Sequence, residues 1–162
     1  MRDKKFIPAR IYNRIKKIIP ICCVDIIIKT KKGVLLGRRT NHPEKGSIWF
    51  VGGKVNYFES LEHAAIRKSK EETGLDVRLK GIVDVCATTW VKGEKRHTIN
   101  VTYLAVKKGG KLRDDGQHSE FVFLKRMDPR LPLYVKRLLL RSGVFAGKRT
   151  LMKAPSGKQF NL

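Results

Sequence analysis

At 162 residues, 41% apolar and 31% charged, the chain is long enough to bury a core as a single domain and too apolar to be disordered. Its formal net charge of +22 suits a partner of opposite sign, such as a phosphorylated small molecule, RNA or an acidic protein; the bland alternative is a well-solvated surface. The excess gathers at the ends: Arg2, Lys4, Lys5, Arg10, Arg14, Lys16 and Lys17 stand against Asp3 alone over residues 1–20, and Lys148, Arg149, Lys153 and Lys158 have no acid beside them.

Ile7, Ile11, Ile15, Ile18 and Ile19 recur at helical spacing among basic residues, which predicts a basic amphipathic helix over 6–19, ended by Pro20. The apolar run that follows is interrupted by Asp25 and has no small-residue cleavage site after it. No stretch approaches membrane-spanning length, so the expectation is a cytoplasmic protein with neither signal peptide nor membrane contact. Cys22, Cys23 and Cys86 are odd in number and form no C-x-x-C. That argues against a disulfide framework or a zinc site and for buried structural thiols.

Residues 21–30 are β-branched and apolar, a buried strand, and Lys32-Gly33 turns the chain into a second strand, GVLLGRR. Thr40 to Gly46 is a loop, and WFVGGKV is a strand running into a double glycine. Ser60 and Gly74 have the chemistry of helix caps around the segment between them. Leu75 to Val91 reads as one or two strands. Thr98 to Val106 alternates, with Ile99, Val101, Tyr103 and Ala105 on one side and Thr98, Asn100, Thr102 and Leu104 on the other. Phe121 to Leu124 is a further strand and Leu131 to Arg141 a last helix. The predicted architecture is α/β: one domain over 1–144, a mixed sheet with helices on both faces, then a basic tail over 145–162.

The helix between Ser60 and Gly74 breaks the usual pattern. At about 100° per residue, Glu72 falls in the middle of the stripe made by Leu61, Ala64, Ala65 and Leu75, with Glu71 at its edge. A carboxylate turned inward is costly unless a positive charge meets it. Two readings stay open: Lys68, four residues earlier, pairs with Glu72, or a divalent cation lies between the two glutamates.

GGKVNYFESLEHAAIRKSKEETGL resembles the Nudix box, a glycine, five residues, Glu, seven residues, then R-E-U-x-E-E-x-G-U with U aliphatic. Gly53, Glu59, Arg67, Glu71, Glu72, Gly74 and Leu75 fall in place, whereas Lys68 and Ser69 depart from it. The resemblance implies a Nudix-type α/β/α sandwich with a mixed β-sheet and a Mg²⁺ site built from helix glutamates and the Gly52 carbonyl. From about Ile7 to Gly143 the chain is most similar to the GDP-mannose mannosyl hydrolases. The stretches that carry this are Pro20 to Ile28, LLGRRTNHP, the double glycine and Gln117-His118. That branch implies Mg²⁺ held by Gly52, Glu72 and Gln117, with Glu71 retained beside them. It implies His118 as general base, Arg39 and Lys54 assisting the leaving nucleotide, Asp25 and His97 near the substrate, and a homodimer. Tyr12 and Trp49 are candidate base-stacking platforms, weighed against roles in the core.

Three functions are therefore in play. The first is Mg²⁺-dependent hydrolysis of a nucleoside-diphosphate sugar of the GDP-mannose type. The second is Nudix pyrophosphohydrolysis, cleaving P–O bonds. The third, suggested by the charge and by Lys68, is an inactive Nudix fold kept as an RNA- or ribosome-binding module.

Overall fold

The computed structural model describes residues 7–40, 45–90, 96–113 and 118–145. The elements run α1 (Ala9–Ile15), β1 (Ile21–Thr30), β2 (Gly33–Arg39), β3 (Ile48–Trp49), β4 (Val51–Lys54), α2 (Leu61–Thr73), β5 (Leu75–Trp90), β6 (Arg96–Gly110), β7 (His118–Leu124) and α3 (Leu133–Arg141).

The seven strands form one sheet ordered β3-β2-β1-β6-β5, with β4 also pairing β1 and β7 pairing β2. β1 and β6 run parallel and the other pairs antiparallel, so the sheet is mixed, as expected. β1 lies at its centre and shares its length between two neighbours: Cys23 to Ile26 pair with β4, and Ile28 to Thr30 with β2. The sheet is thus divided beside β1, where the double glycine enters.

The period of two along β1 sorts its side chains between two cores. Val24, Ile26 and Ile28 join Val51, Ala64, Ala65, Val101, Tyr103 and Ala105 beneath α2. Ile27 joins Leu36, Trp49, Phe50, Leu104, Val135 and Leu138 beneath α3. Helices therefore cover opposite faces, the α/β/α sandwich expected from the order of the elements and from the resemblance. Arg141 and Arg137 fasten α3 to β5 by gripping buried Asp84 at 2.6 and 3.4 Å.

Two expectations are corrected. The first helix is shorter than 6–19 and buries no residue; Ile7, Ile11, Ile18 and Ile19 are exposed. Half-buried Tyr12, with the Lys54 ammonium 4.0 Å over its ring, is its clearest link to the body. None of the three cysteines is buried; all are free thiols, Cys22 exposed. Trp49 takes the core role weighed for it above, 7% exposed and stacked on Tyr134 with ring centroids 5.1 Å apart. Among the described residues no helix is long and apolar enough to cross a membrane.

Candidate active site

Ser60 caps α2 by accepting the His63 N–H at 3.2 Å, and Gly74 closes it at φ 71°. The caps fix where Arg67 and the two glutamates emerge. Arg67 donates to both Glu59 oxygens at 2.6 and 2.7 Å, to Glu71 at 3.0 Å and to the Lys54 carbonyl at 3.1 Å. Its guanidinium thus ties the loop after the double glycine to the middle of the helix. The Arg67 hydrogen bonds are the main reason the Glu59 carboxyl is held below its ordinary pKa, and those with Glu59 raise Arg67 in turn.

Glu72 lies in the buried stripe, 2% exposed. One oxygen accepts the Gly52 N–H at 3.1 Å, and the other meets the Lys68 ammonium at 2.7 Å. Lys68 also lies 3.5 Å from Glu71. The contact that the four-residue spacing allowed between Lys68 and Glu72 is formed. Gly53 makes room for it: a Cβ there would come within 2.7 Å of the Lys68 Cε.

Gly52 faces the opposite way. A Cβ on it would run into the Val24 carbonyl oxygen and come within 3.0 Å of Asp25 Oδ1. The two glycines are therefore a thin partition between the Lys68–Glu72 pair on the α2 side and Asp25 on the α3 side. Asp25 is 6% exposed, and its Oδ2 accepts from Asn100 Nδ2 at 2.8 Å and from the Tyr134 hydroxyl at 2.6 Å. Asn100 continues through Thr98 to Thr88 at 2.5 and 2.7 Å. Burial raises the Asp25 pKa, opposed by those two donors and by the charge of Arg39. Tyr134 is raised as well, by burial first and by Asp25 second. Sequence reading missed Asn100 and Tyr134. The polar positions at 98, 100 and 102 in an otherwise apolar strand were the available signal.

The other predicted residues are scattered around this partition. Arg39 ends β2, 5.7 Å from the Trp49 ring and close enough for its charge to act on Asp25. Lys54 ends β4, opposite Cys23. Burial, with Asp25 second, pushes the Cys23 thiol up to about 12. His118 opens β7, paired in register with Arg39. His97 is exposed on β6, opposite Thr89. Gln117 lies outside the described residues.

The Mg²⁺ implied by the resemblance can be tested against these contacts. An ion on Glu72 would sit about 2.1 Å from a carboxylate oxygen. One oxygen is engaged by a backbone N–H and the other by an ammonium, in a carboxylate almost sealed from water. Among the described residues no three His, Cys, Asp or Glu side chains gather as a metal-holding group. As they stand, the α2 residues do not fit a resident divalent ion.

A family model described as NUDIX domain matches residues 21–139. The chain is 33% identical over 132 residues to an ADP-ribose pyrophosphatase of Methanocaldococcus jannaschii, covering 80% of this chain and 77% of that one. It is 34% identical over 139 residues to the low-salt glycan biosynthesis protein Agl8 of Haloferax volcanii, covering 82% and 88%. Among solved structures, the MutT NUDIX hydrolase from Burkholderia pseudomallei superposes with a TM-score of 0.66 at 24% identity, over 75% of this chain and 97% of that one, a likeness of fold.

Proposed function

The chain belongs to the NUDIX domain family, and from that premise we propose that it hydrolyses a nucleoside-diphosphate sugar of the GDP-mannose type. One observation carries this reading: Glu59, Arg67, Glu71, Lys68 and Glu72 form one ion-paired lattice, and Glu72 accepts the N–H of Gly52 in the double glycine. The relative named as an ADP-ribose pyrophosphatase supports a nucleoside-diphosphate substrate, and its name also supports the second reading, cleavage of a P–O bond.

The site geometry favours cleavage at the sugar carbon. Both helix glutamates are engaged by cations, so activation of water falls to a base outside the box. His118 is our candidate, and its register partner Arg39 brings a guanidinium to the same strand pair. In this scheme, which needs a sugar joined to the diphosphate through C1 as in GDP-mannose, the oxygen of water bonds to C1 of the sugar and its proton passes to His118. The C–O bond breaks, and its electron pair leaves with the nucleoside diphosphate. Arg39 and Lys54 hold the charge that grows there; a guanidinium suits this because its fork grips two phosphate oxygens. Asp25, Tyr12 and His97 contact the rest of the substrate. No step is assigned to magnesium.

Turnover of GDP-mannose and ADP-ribose in ¹⁸O-water, with and without Mg²⁺, tests the scheme. From GDP-mannose, label is expected in the free sugar; ADP-ribose, whose ribose is joined to the diphosphate through O5, has no C1 bond for this route to break and serves as the probe for P–O cleavage. Label in phosphate would replace the scheme with P–O cleavage. No turnover of any nucleoside-diphosphate sugar, with tight RNA binding of steep salt dependence, would replace it with an RNA-binding role. His118→Ala should slow turnover about 10²- to 10⁴-fold, and a loss under about twofold would put the base elsewhere.

A further inference from the structure

The place where the α2 carboxylates would receive a divalent ion is filled by a side chain of this protein. Lys68 is 9% exposed, its ammonium 2.7 Å from Glu72 and 3.5 Å from Glu71. Its position is built in from three sides. The missing Cβ of Gly53 leaves a slot for the end of the stem. The Gly52 N–H fixes the other oxygen of Glu72 and so turns the carboxylate toward the lysine. Arg67 is engaged by Glu59, Glu71 and the Lys54 carbonyl, and the Lys68 ammonium is the cation placed against Glu72 at 2.7 Å.

We propose that Lys68 is the resident cation of this site: its ammonium holds the place between Glu71, Glu72 and the double glycine, and the resting protein takes up no divalent ion there. A metal ion and an ammonium cannot share one carboxylate oxygen at such short range without strong repulsion. Removing the ammonium leaves two adjacent carboxylates, one of them buried, and a divalent ion is then the natural means of neutralising them. The inference concerns the same site as the proposed hydrolysis. Its readout is cation uptake, so its failure would leave that reading standing, and the failure of that reading would leave the inference testable.

The experiment is Mn²⁺ binding to the full chain, followed by electron paramagnetic resonance and calorimetry, with Lys68→Ala, Lys68→Glu and the double variant Lys68→Ala/Glu72→Gln beside it. The unaltered protein should show no saturable Mn²⁺ site up to about 1 mM. Lys68→Ala and Lys68→Glu should each gain one site per chain, at least about tenfold tighter, and the double variant should lose it. Mg²⁺ at about 5 mM should raise the melting temperature of Lys68→Ala by roughly 3 °C or more and leave the unaltered protein unmoved. One saturable sub-millimolar site in the unaltered protein, abolished by Glu72→Gln, would overturn the proposal. So would failure of both Lys68 variants to gain a site while folded. Should neither variant fold, the measurement on the unaltered protein and on Glu72→Gln still decides it.

Discussion

Arg67 and Glu59 show how the box works as structure before it works as chemistry. Their side chains are 23% and 13% exposed, and the contact has two short hydrogen bonds. A charged hydrogen bond contributes about 1.5–3 kcal/mol when buried and less where solvent screens it, so Glu59→Gln should cost on the order of 1 kcal/mol at pH 7. The pH dependence has a definite sign. The folded state holds the Glu59 pKa below its ordinary 4.5, so the stabilisation is complete above that value and disappears as pH falls through the lower, folded one. Melting curves of the two proteins should therefore differ most near neutrality and converge in acid. A constant gap across that range would mean the variant disturbs packing instead of an ion pair. Gly53, Glu59 and Arg67 were legible because a box at fixed spacing marks them. The choice between metal and lysine at Glu72 was not, since Lys68 and Glu72 lie four residues apart on the helix under either reading.

Local chemistry also set the ends of α2. Ser60 satisfies a first-turn N–H, and Gly74 takes a left-handed conformation in which a Cβ would strike the Lys111 carbonyl. Ser60→Ala should cost about 1 kcal/mol, the usual value of a cap. Gly74→Ala should cost more, on the order of 2–3 kcal/mol, because left-handed strain and a backbone collision add. Urea unfolding midpoints will rank the pair, and an equal or reversed order would remove the collision from the account. Where a boundary depends on distant partners, sequence reading did less well. Leu75 to Val91 reads as one or two strands, and the structure has one long β5 with Gly81, at φ 145°, at a register shift within it. The isoleucines of α1 share a spacing, but spacing does not show whether another surface lies opposite to receive them.

The sheet brings together what the sequence keeps apart. Asp25 meets Asn100 75 residues on and Tyr134 109 residues on, and no local pattern specifies contacts of that range. Helices on both faces were legible from the order of the elements and from the box; strand order, and the partition made by the double glycine, required the long-range pairing of β1 with β4 and β6. Net charge is the one whole-molecule property readable without any structure, and it makes a separate prediction. A chain of +22 should draw in a dianionic nucleotide sugar before any contact forms, an attraction screened over about 10 Å at 0.1 M salt. Raising salt from about 20 to 200 mM should lower kcat/KM by roughly three- to tenfold and leave kcat within about twofold, because steering acts on encounter alone. A parallel fall in kcat would mean that salt reaches the ion pairs of the site. A flat kcat/KM would mean that the charge faces away from the cleft and serves a different polyanion. In that case RNA should bind without inhibiting turnover, because ligand and polyanion would occupy different faces of one molecule.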